Sequence, residues 1–163
     1  MKKVCQVKIS SGWEQSIYVL LILSRLPKGK HINSLALSER LHVSHSYLKK
    51  TIKSLVKEGL VKSSPGKLGG FSLAIPLDEI DFYKVFMAIE GQEKVFASQH
   101  LLVQFLNKDK PKLEPCAVSS AMDNIENTLK TTMNSITLNT MMKQIQENYD
   151  INDLDEWIKT VAK

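Results

Sequence analysis

Cysteine is almost absent from this chain: Cys5 and Cys116 are the only two among 163 residues. Two cysteines without a secretory context read as reduced thiols in a cytoplasm. Cys5, in an N-terminal arm, is open at most to intermolecular disulfides. No Cys-x-x-Cys or His-Glu-x-x-His spacing occurs, and no metal site is expected. His42 and His45 stand near each other but on either side of an expected turn, and His31 and His100 lie elsewhere. No Ser-His-Asp order, phosphate loop or paired-carboxylate motif is present, so the chain does not read as an enzyme. Long apolar runs, repeats and low-complexity tracts are missing too. The longest apolar run, Ile17 to Leu23, is too short to cross a bilayer, and no membrane partner is expected. Glu14 and Gln15 precede it and no small-residue cleavage site follows, so it reads as a buried first helix rather than a signal peptide. Ser10 or Ser11 can cap that helix, and Pro27 with Gly29 can end it.

Acids are scarce where lysines gather. From Lys49 to Lys67 there are six lysines (Lys49, Lys50, Lys53, Lys57, Lys62, Lys67) against one acid, Glu58. The whole chain carries a net charge of +5, and its acids collect near the C-terminal end at Glu147, Asp150, Asp153, Asp155 and Glu156. Such segregation suits a molecule with one face toward a polyanion. With 43% hydrophobic and 24% charged residues, the composition supports one domain, or a small domain with a dimerising extension.

The lysines sit on an ordered pattern. Asn33 can cap a helix with Leu37 and Leu41 on its inner side, and Val43 falls in a turn where it can plug the space before the next helix. Ser44 can cap that second helix, whose Leu48, Ile52, Leu55 and Val56 make one buried stripe. His45, Ser46, Lys49, Lys50 and Lys53 fall away from the stripe and can face a groove. Gly59 is placed to end the helix in the left-handed conformation. Leu60 and Val61 then begin a strand, and Phe71 and Leu73 alternate with Ser72 on the return. Pro65, Gly66, Gly69 and Gly70 mark a turn-rich tip that contains Lys67, where glycine amides can approach phosphates and the lysine can neutralise one. Helix, turn, helix and hairpin in this order describe a winged helix-turn-helix, which lays one helix in the DNA major groove. The plain alternative is a lysine-rich solvated helix beside an ordinary β-turn. Shape and charge together favour double-stranded DNA.

The run SHSYLKKTIKSLVKEGLVKSSPGKLGGFSL resembles the signature of the Rrf-two family of bacterial winged-helix transcription regulators. That family includes an iron–sulfur cluster regulator, a nitric-oxide sensor and a cysteine-metabolism repressor. The similarity continues through Ile80 to Gly91 and resumes at Cys116. The resemblance implies a homodimer on a roughly palindromic operator, usually as a repressor, with Ser44, Ser46, Tyr47, Lys49 and Lys50 on the groove-facing surface. Many relatives place arginine just before the first wing glycine, where this chain has Pro65.

Cluster-binding relatives carry three closely spaced cysteines, and here only Cys116 matches. Ser119 stands where one relative has a histidine ligand. An iron–sulfur cluster draws on several thiolates or imidazoles, so none is expected as a cofactor. The chain looks most like the cluster-free branch, where a lone Pro-Cys precedes a helix. Cys116 at a helix start reads either as a redox thiol or as a small hydrophobe left over from a cluster site, since position alone sets no pKa.

The second half carries an assembly signal. Val118, Met122, Ile125, Leu129 and Ile136 recur at heptad-like spacing, with Thr132 at the missing step. This edge reads as a dimer interface, with packing on its own domain as the alternative. Asp81 can cap a helix striped by Phe82, Val85, Phe86 and Ile89, which would join the winged domain to the long helix. Val95 to Leu106 has helical periodicity and a charged proline-containing loop follows; the resemblance to cluster-free relatives implies that this region can form a pocket for a small-molecule effector. Leu154, Trp157, Ile158 and Val161 form a last amphipathic helix, expected to dock on the dimer core. The fold class is therefore mainly α with a small β-wing, a winged helix-turn-helix domain over 1–91 followed by a dimerisation and sensing region over 92–163. The expected function is a DNA-binding regulator reading a palindrome with the 44–58 helix and the 61–74 wing. The alternative is a redox or effector adaptor whose wing engages a protein partner.

Overall fold

The computed structural model describes residues 9–66, 69–91, 101–106 and 116–163. Cys5, Lys67, His100 and the first half of the expected 95–106 helix lie outside the described residues. The first helix, α1 (Ser11–Ser24), is the core of the molecule. Its Ile17, Val19, Leu20, Leu21, Ile22 and Leu23 are all buried, so it is apolar nearly all round, as a central helix must be. Ser16 survives there because its hydroxyl donates to the Gly12 carbonyl at 2.7 Å. Ser10 occupies the N-cap position but makes no side-chain cap bond.

Around α1 lie α2 (Ser34–Leu41) and α3 (His45–Lys57). Local signals set their ends. Asn33 accepts from the Ala36 amide at 2.9 Å, and Ser44 accepts from Tyr47 at a longer 3.5 Å. At the other end of α3, Gly59 has φ +72°. Its amide reaches the Val56 carbonyl, while the Leu60 amide reaches that of Leu55 at 2.9 Å, the double bond of a Schellman stop. Leu48, Ile52 and Leu55 are completely buried, and Val43 packs half-buried in the turn. Each large aliphatic sealed in this way contributes about 1.5–3 kcal/mol.

The wing is an antiparallel pair, β1 (Val61–Ser64) and β2 (Gly70–Leu73), with Val61 opposite Leu73 and Ser64 opposite Gly70. It is not a free hairpin. Phe71 exchanges backbone bonds with Ile32 at 2.8 and 3.1 Å, and the next residue back, His31, exchanges two with Lys163, both at 3.0 Å. The C-terminal end is thereby stitched to the base of the wing.

After a 3-10 turn at Leu77–Glu79, α4 (Phe82–Glu90) is capped by Asp81, whose carboxylate accepts from the Lys84 amide at 2.8 Å. It packs against α1, α3 and the long α6 (Ala117–Asn134), joining the winged body to that helix as expected. A short α5 covers Leu102–Leu106. Two expectations need correction. The long helix does not run on to Ile136: it stops at Asn134, and Ile136 lies in the connection with its carbonyl accepting from the Phe82 amide at 3.0 Å. The reason is that Thr137 caps a separate helix, α7 (Leu138–Asn148), by accepting from the Thr140 amide. That helix carries its own stripe of Leu138, Met142 and Ile145, which the heptad reading left unassigned.

The second correction concerns α8 (Asn152–Val161), which lies on its own winged-helix body instead of a dimer core. Ile158 enters the main core, and Asp155 takes a forked pair of bonds from Arg25 at 2.6 and 3.0 Å. Arg40 bonds Asp153 at 2.7 Å and lies 5.3 Å over the Trp157 ring. Hydrogen bonding from Arg25 holds the Asp155 carboxyl below its ordinary range. Its contribution is therefore present above the usual carboxylate pKa and lost as pH falls through the depressed one.

Candidate nucleic-acid interface

Helix α3 divides into three faces. Leu48, Thr51, Ile52 and Leu55 are buried. Opposite them, Ser46, Lys50, Lys53 and Lys57 recur at the i, i+4, i+7 and i+11 positions that share one side of a helix, and all are exposed. Lys49 is exposed at the edge of this stripe. None of these four lysines is ion-paired to a described residue. Lys57 was counted in the lysine run but not placed on the groove-facing surface, although its spacing of four from Lys53 was the available signal.

On the flanks of α3, His45 and Tyr47 are exposed yet each reaches a neighbouring helix. His45 Nε2 lies 2.9 Å from the hydroxyl of Ser34 at the start of α2. Tyr47 turns its hydroxyl toward Gly12 of α1: a Cβ placed on that glycine would stand 2.8 Å from Oη. Ser44 is occupied as the cap and lies 3.1 Å from the Ser46 hydroxyl. Of Ser44 and the six α3 residues expected at DNA, Ser46, Lys49, Lys50 and Lys53 share one open surface, while His45 and Tyr47, also exposed, lie against α2 and α1.

The wing glycines also separate by role. Gly66, exposed at φ +99°, makes the turn. A Cβ on Gly69 would stand 2.1 Å from the Ser64 carbonyl, and the Gly69 amide already donates to Gly66. Gly70 is buried, and a Cβ there would meet the Ile32 backbone at 2.7 Å. Gly69 and Gly70 therefore close the hairpin and let it approach the body, with the Gly69 amide donated to Gly66. Lys62 on β1 and Gly66 remain exposed beside the α3 stripe. Lys67 lies outside the described residues.

Cys116 stands at the N-cap of α6, half-exposed. Hydrogen bonds from the backbone of Ser119 and of Val118 hold its thiol below the ordinary cysteine value. Its thiolate therefore persists to lower pH than that of an ordinary cysteine. In a Cys5→Ser background, iodoacetamide should modify Cys116 with a rate-versus-pH midpoint below the usual value of about 8.5. A midpoint at or above that value would remove the case for a reactive thiol.

Along α6, Val118 and Ile125 are exposed, the latter by 55%, while Met122 and Leu129 are half-buried. On α5, Phe105 is 82% exposed, with Leu101, Val103 and Leu106 also open. Ile136, expected on the same edge, lies off it in the connection after α6.

A family model described as "Iron-dependent Transcriptional regulator", Rrf2, matches residues 9–144. Among the described residues no three His, Cys, Asp or Glu side chains gather where they could hold a metal. The chain is 55% identical to YffB of Lactococcus lactis, covering 93% of this chain and 97% of that one. It is 38% identical to YwgB of Bacillus subtilis, covering 93% and 95%. Both are named as HTH-type transcriptional regulators. Among solved structures, CymR, the global cysteine regulator of B. subtilis, superposes with TM-score 0.64 at 20% identity, covering 85% of this chain and 98% of that one. IscR of T. potens does so with TM-score 0.63 at 22% identity, covering 87% and 90%. These relatives are regulators rather than enzymes, and with its winged helix-turn-helix and lysine-faced α3 the chain belongs to the Rrf2 family of DNA-binding transcriptional regulators.

Proposed function

We propose that the protein is a homodimeric repressor that reads a two-fold operator without an iron–sulfur cluster. The observation that carries this reading is the exposed stripe of Ser46, Lys50, Lys53 and Lys57 on a helix whose remaining faces are held by its own domain. Ser46 and Lys50, near the N-terminal end of α3, meet base edges; Lys53, Lys57 and Lys62 meet phosphates. The exposed apolar side chains of α6, Val118 and Ile125, support the dimer, since a second copy can cover them. Two-fold symmetry of the protein then sets two-fold symmetry of the operator, with half-sites a helical turn apart. In this reading, residues 1–91 carry DNA recognition, residues 92–163 carry assembly and signal input, and the protein works in the cytoplasm.

The test is fluorescence-anisotropy binding of the reduced protein to the intergenic DNA beside its own gene, against a scrambled duplex, at two salt concentrations. Tight, salt-sensitive preference for the native fragment supports an operator reader. Binding insensitive to salt and to sequence would overturn it.

A second reading is favoured by the lowered, half-exposed thiol of Cys116. It makes the protein an adaptor whose input is oxidation and whose wing engages a protein. Under that reading Cys116→Ser abolishes an oxidant response, and the partner complex survives high salt.

A further inference from the structure

The start of α1 is gripped from two sides. Glu90, in the last turn of α4, accepts from both the Ser10 amide at 2.9 Å and the Ser10 hydroxyl at 2.6 Å. This explains why Ser10, at the N-cap position, does not cap its own helix. Two residues on, Gly12 is buried where three groups converge. A Cβ there would lie 2.8 Å from Tyr47 Oη, and 3.4 Å from both Ile89 Cγ2 and Ser10 Oγ. The last turn of α4 thus fixes the first turn of α1, and the partly exposed Tyr47 rests its hydroxyl end against that turn, where a methyl on Gly12 would displace it.

Tyr47 lies between Ser46 and the Lys49–Lys50 pair. Wherever its ring is seated, the backbone of the first turn of α3 follows, because Tyr47 also contributes its amide to the Ser44 cap and its carbonyl to the Thr51 hydroxyl, the latter at 3.1 Å. We propose that Tyr47 is a positioning residue whose ring, seated on Gly12 by Ser10 and Glu90, sets how Ser46 and Lys50 are presented to DNA, and that its hydroxyl does not itself contact the operator. The proposal rests on the reading of α3 as the DNA-reading helix, and it adds three residues outside α3 on which sequence preference depends.

The colliding atom identifies the experiment. Gly12→Ala places its methyl against Oη and should unseat the ring, lowering the ratio of operator to scrambled-DNA affinity by about tenfold, with the salt dependence unchanged because no phosphate contact is lost. Tyr47→Phe removes only the colliding oxygen and should leave that ratio within about twofold of the starting protein. The double variant Gly12→Ala/Tyr47→Phe should recover most of the loss, since the remaining neighbours at 3.4 Å need to yield only a few tenths of an ångström.

Amide hydrogen exchange over residues 45–50 of the DNA-free protein gives a second readout. Exchange should quicken in Gly12→Ala and in Glu90→Ala, which removes the acceptor of both Ser10 bonds, and return toward the starting rate in the double variant. This pattern is independent of DNA, so a failure of the operator reading leaves the seat testable. Two results would overturn the proposal. One is a double variant as impaired, or as fast in exchange, as Gly12→Ala alone. The other is a Tyr47→Phe variant with a matching loss of affinity and a shallower salt slope, which would make the hydroxyl a DNA contact. Should Gly12→Ala fail to fold, the Glu90→Ala and Tyr47→Phe measurements decide between the same alternatives.

Discussion

Replacing Lys50 and Lys53 together by alanine is expected to weaken operator binding by about a hundredfold and to flatten the salt dependence by about one to two units of log–log slope. The two lysines lie on the open side of α3, opposite Leu48, Ile52 and Leu55, and neither is ion-paired to a described residue. Their charge is consequently available to a polyanion. A phosphate contact releases about one counterion, worth about 0.9 in slope, and a base contact is worth about 1–3 kcal/mol of discrimination. The assignment of Lys53 to phosphate and Lys50 to a base edge predicts different single variants. Lys53→Ala should weaken operator and scrambled DNA alike and carry most of the slope change. Lys50→Ala should chiefly erode the preference for the operator.

Stability should not fall in either case. Lys49, Lys53 and Lys57 repeat every fourth residue, so removing Lys53 relieves like-charge repulsion within α3. Thermal melting therefore separates a lost contact from a damaged fold. Unchanged operator affinity in the double variant at unchanged melting temperature would sink the placement of this face in a groove.

The second large effect concerns assembly. Ile125→Asp should convert a dimer to a monomer at micromolar concentration, read by sedimentation or light scattering, with a dissociation constant raised by at least about two orders of magnitude. Ile125 is 55% exposed and stands apart from the main core, so the substitution leaves the folded protomer intact. In a two-fold interface each substitution appears twice. Burying a pair of unpartnered carboxylates facing each other then costs several kcal/mol in desolvation and repulsion. Operator affinity should drop in parallel, because a monomer presents one α3 to one half-site. Scrambled-DNA binding should weaken less. A variant that remains dimeric with an unaltered dissociation constant would place the interface elsewhere, and the open α5 face around Phe105 would be the next to test.

These two variants act on different halves of the chain, which a hybrid test can use. A heterodimer of one Lys50→Ala/Lys53→Ala protomer with one unaltered protomer should bind between the parent and the double-lysine homodimer. The Ile125→Asp variant should gain nothing from unaltered protein added in equal amount, since its face cannot accept a partner.

Much of the DNA-reading unit was legible in the chain because its signals are short-range. Asn33, Ser44 and Asp81 cap helices with oxygens that reach amides three residues on. Gly59 stops α3 through bonds that span no more than five residues. The buried stripe of α3 follows from helical periodicity alone. Such features are decided by groups that are neighbours in the sequence whatever the rest of the fold does.

Other decisions required the chain to return on itself. Spacing sets His45 on the side of Leu48 and Ile52 and Tyr47 at the edge of the stripe, but only α2 and α1 determine that they lie against Ser34 and Gly12. Gly70 reads as part of a loop tip until Ile32 is laid against it. The last amphipathic helix has an apolar stripe that fits any complementary surface. Its choice of the winged body comes from Arg25 meeting Asp155 across 130 residues and Arg40 meeting Asp153 across 113. The end of α6 is likewise set by the competing cap of Thr137, and by the Phe82 amide that takes the Ile136 carbonyl. Helix ends, periodic faces and the concentration of positive charge were thus determined by the sequence itself, because local hydrogen bonding and side-chain spacing act within a turn or two. Which exposed face stays open, and which is committed to a neighbour, was decided only in the tertiary structure, where packing and desolvation act between groups far apart in the chain.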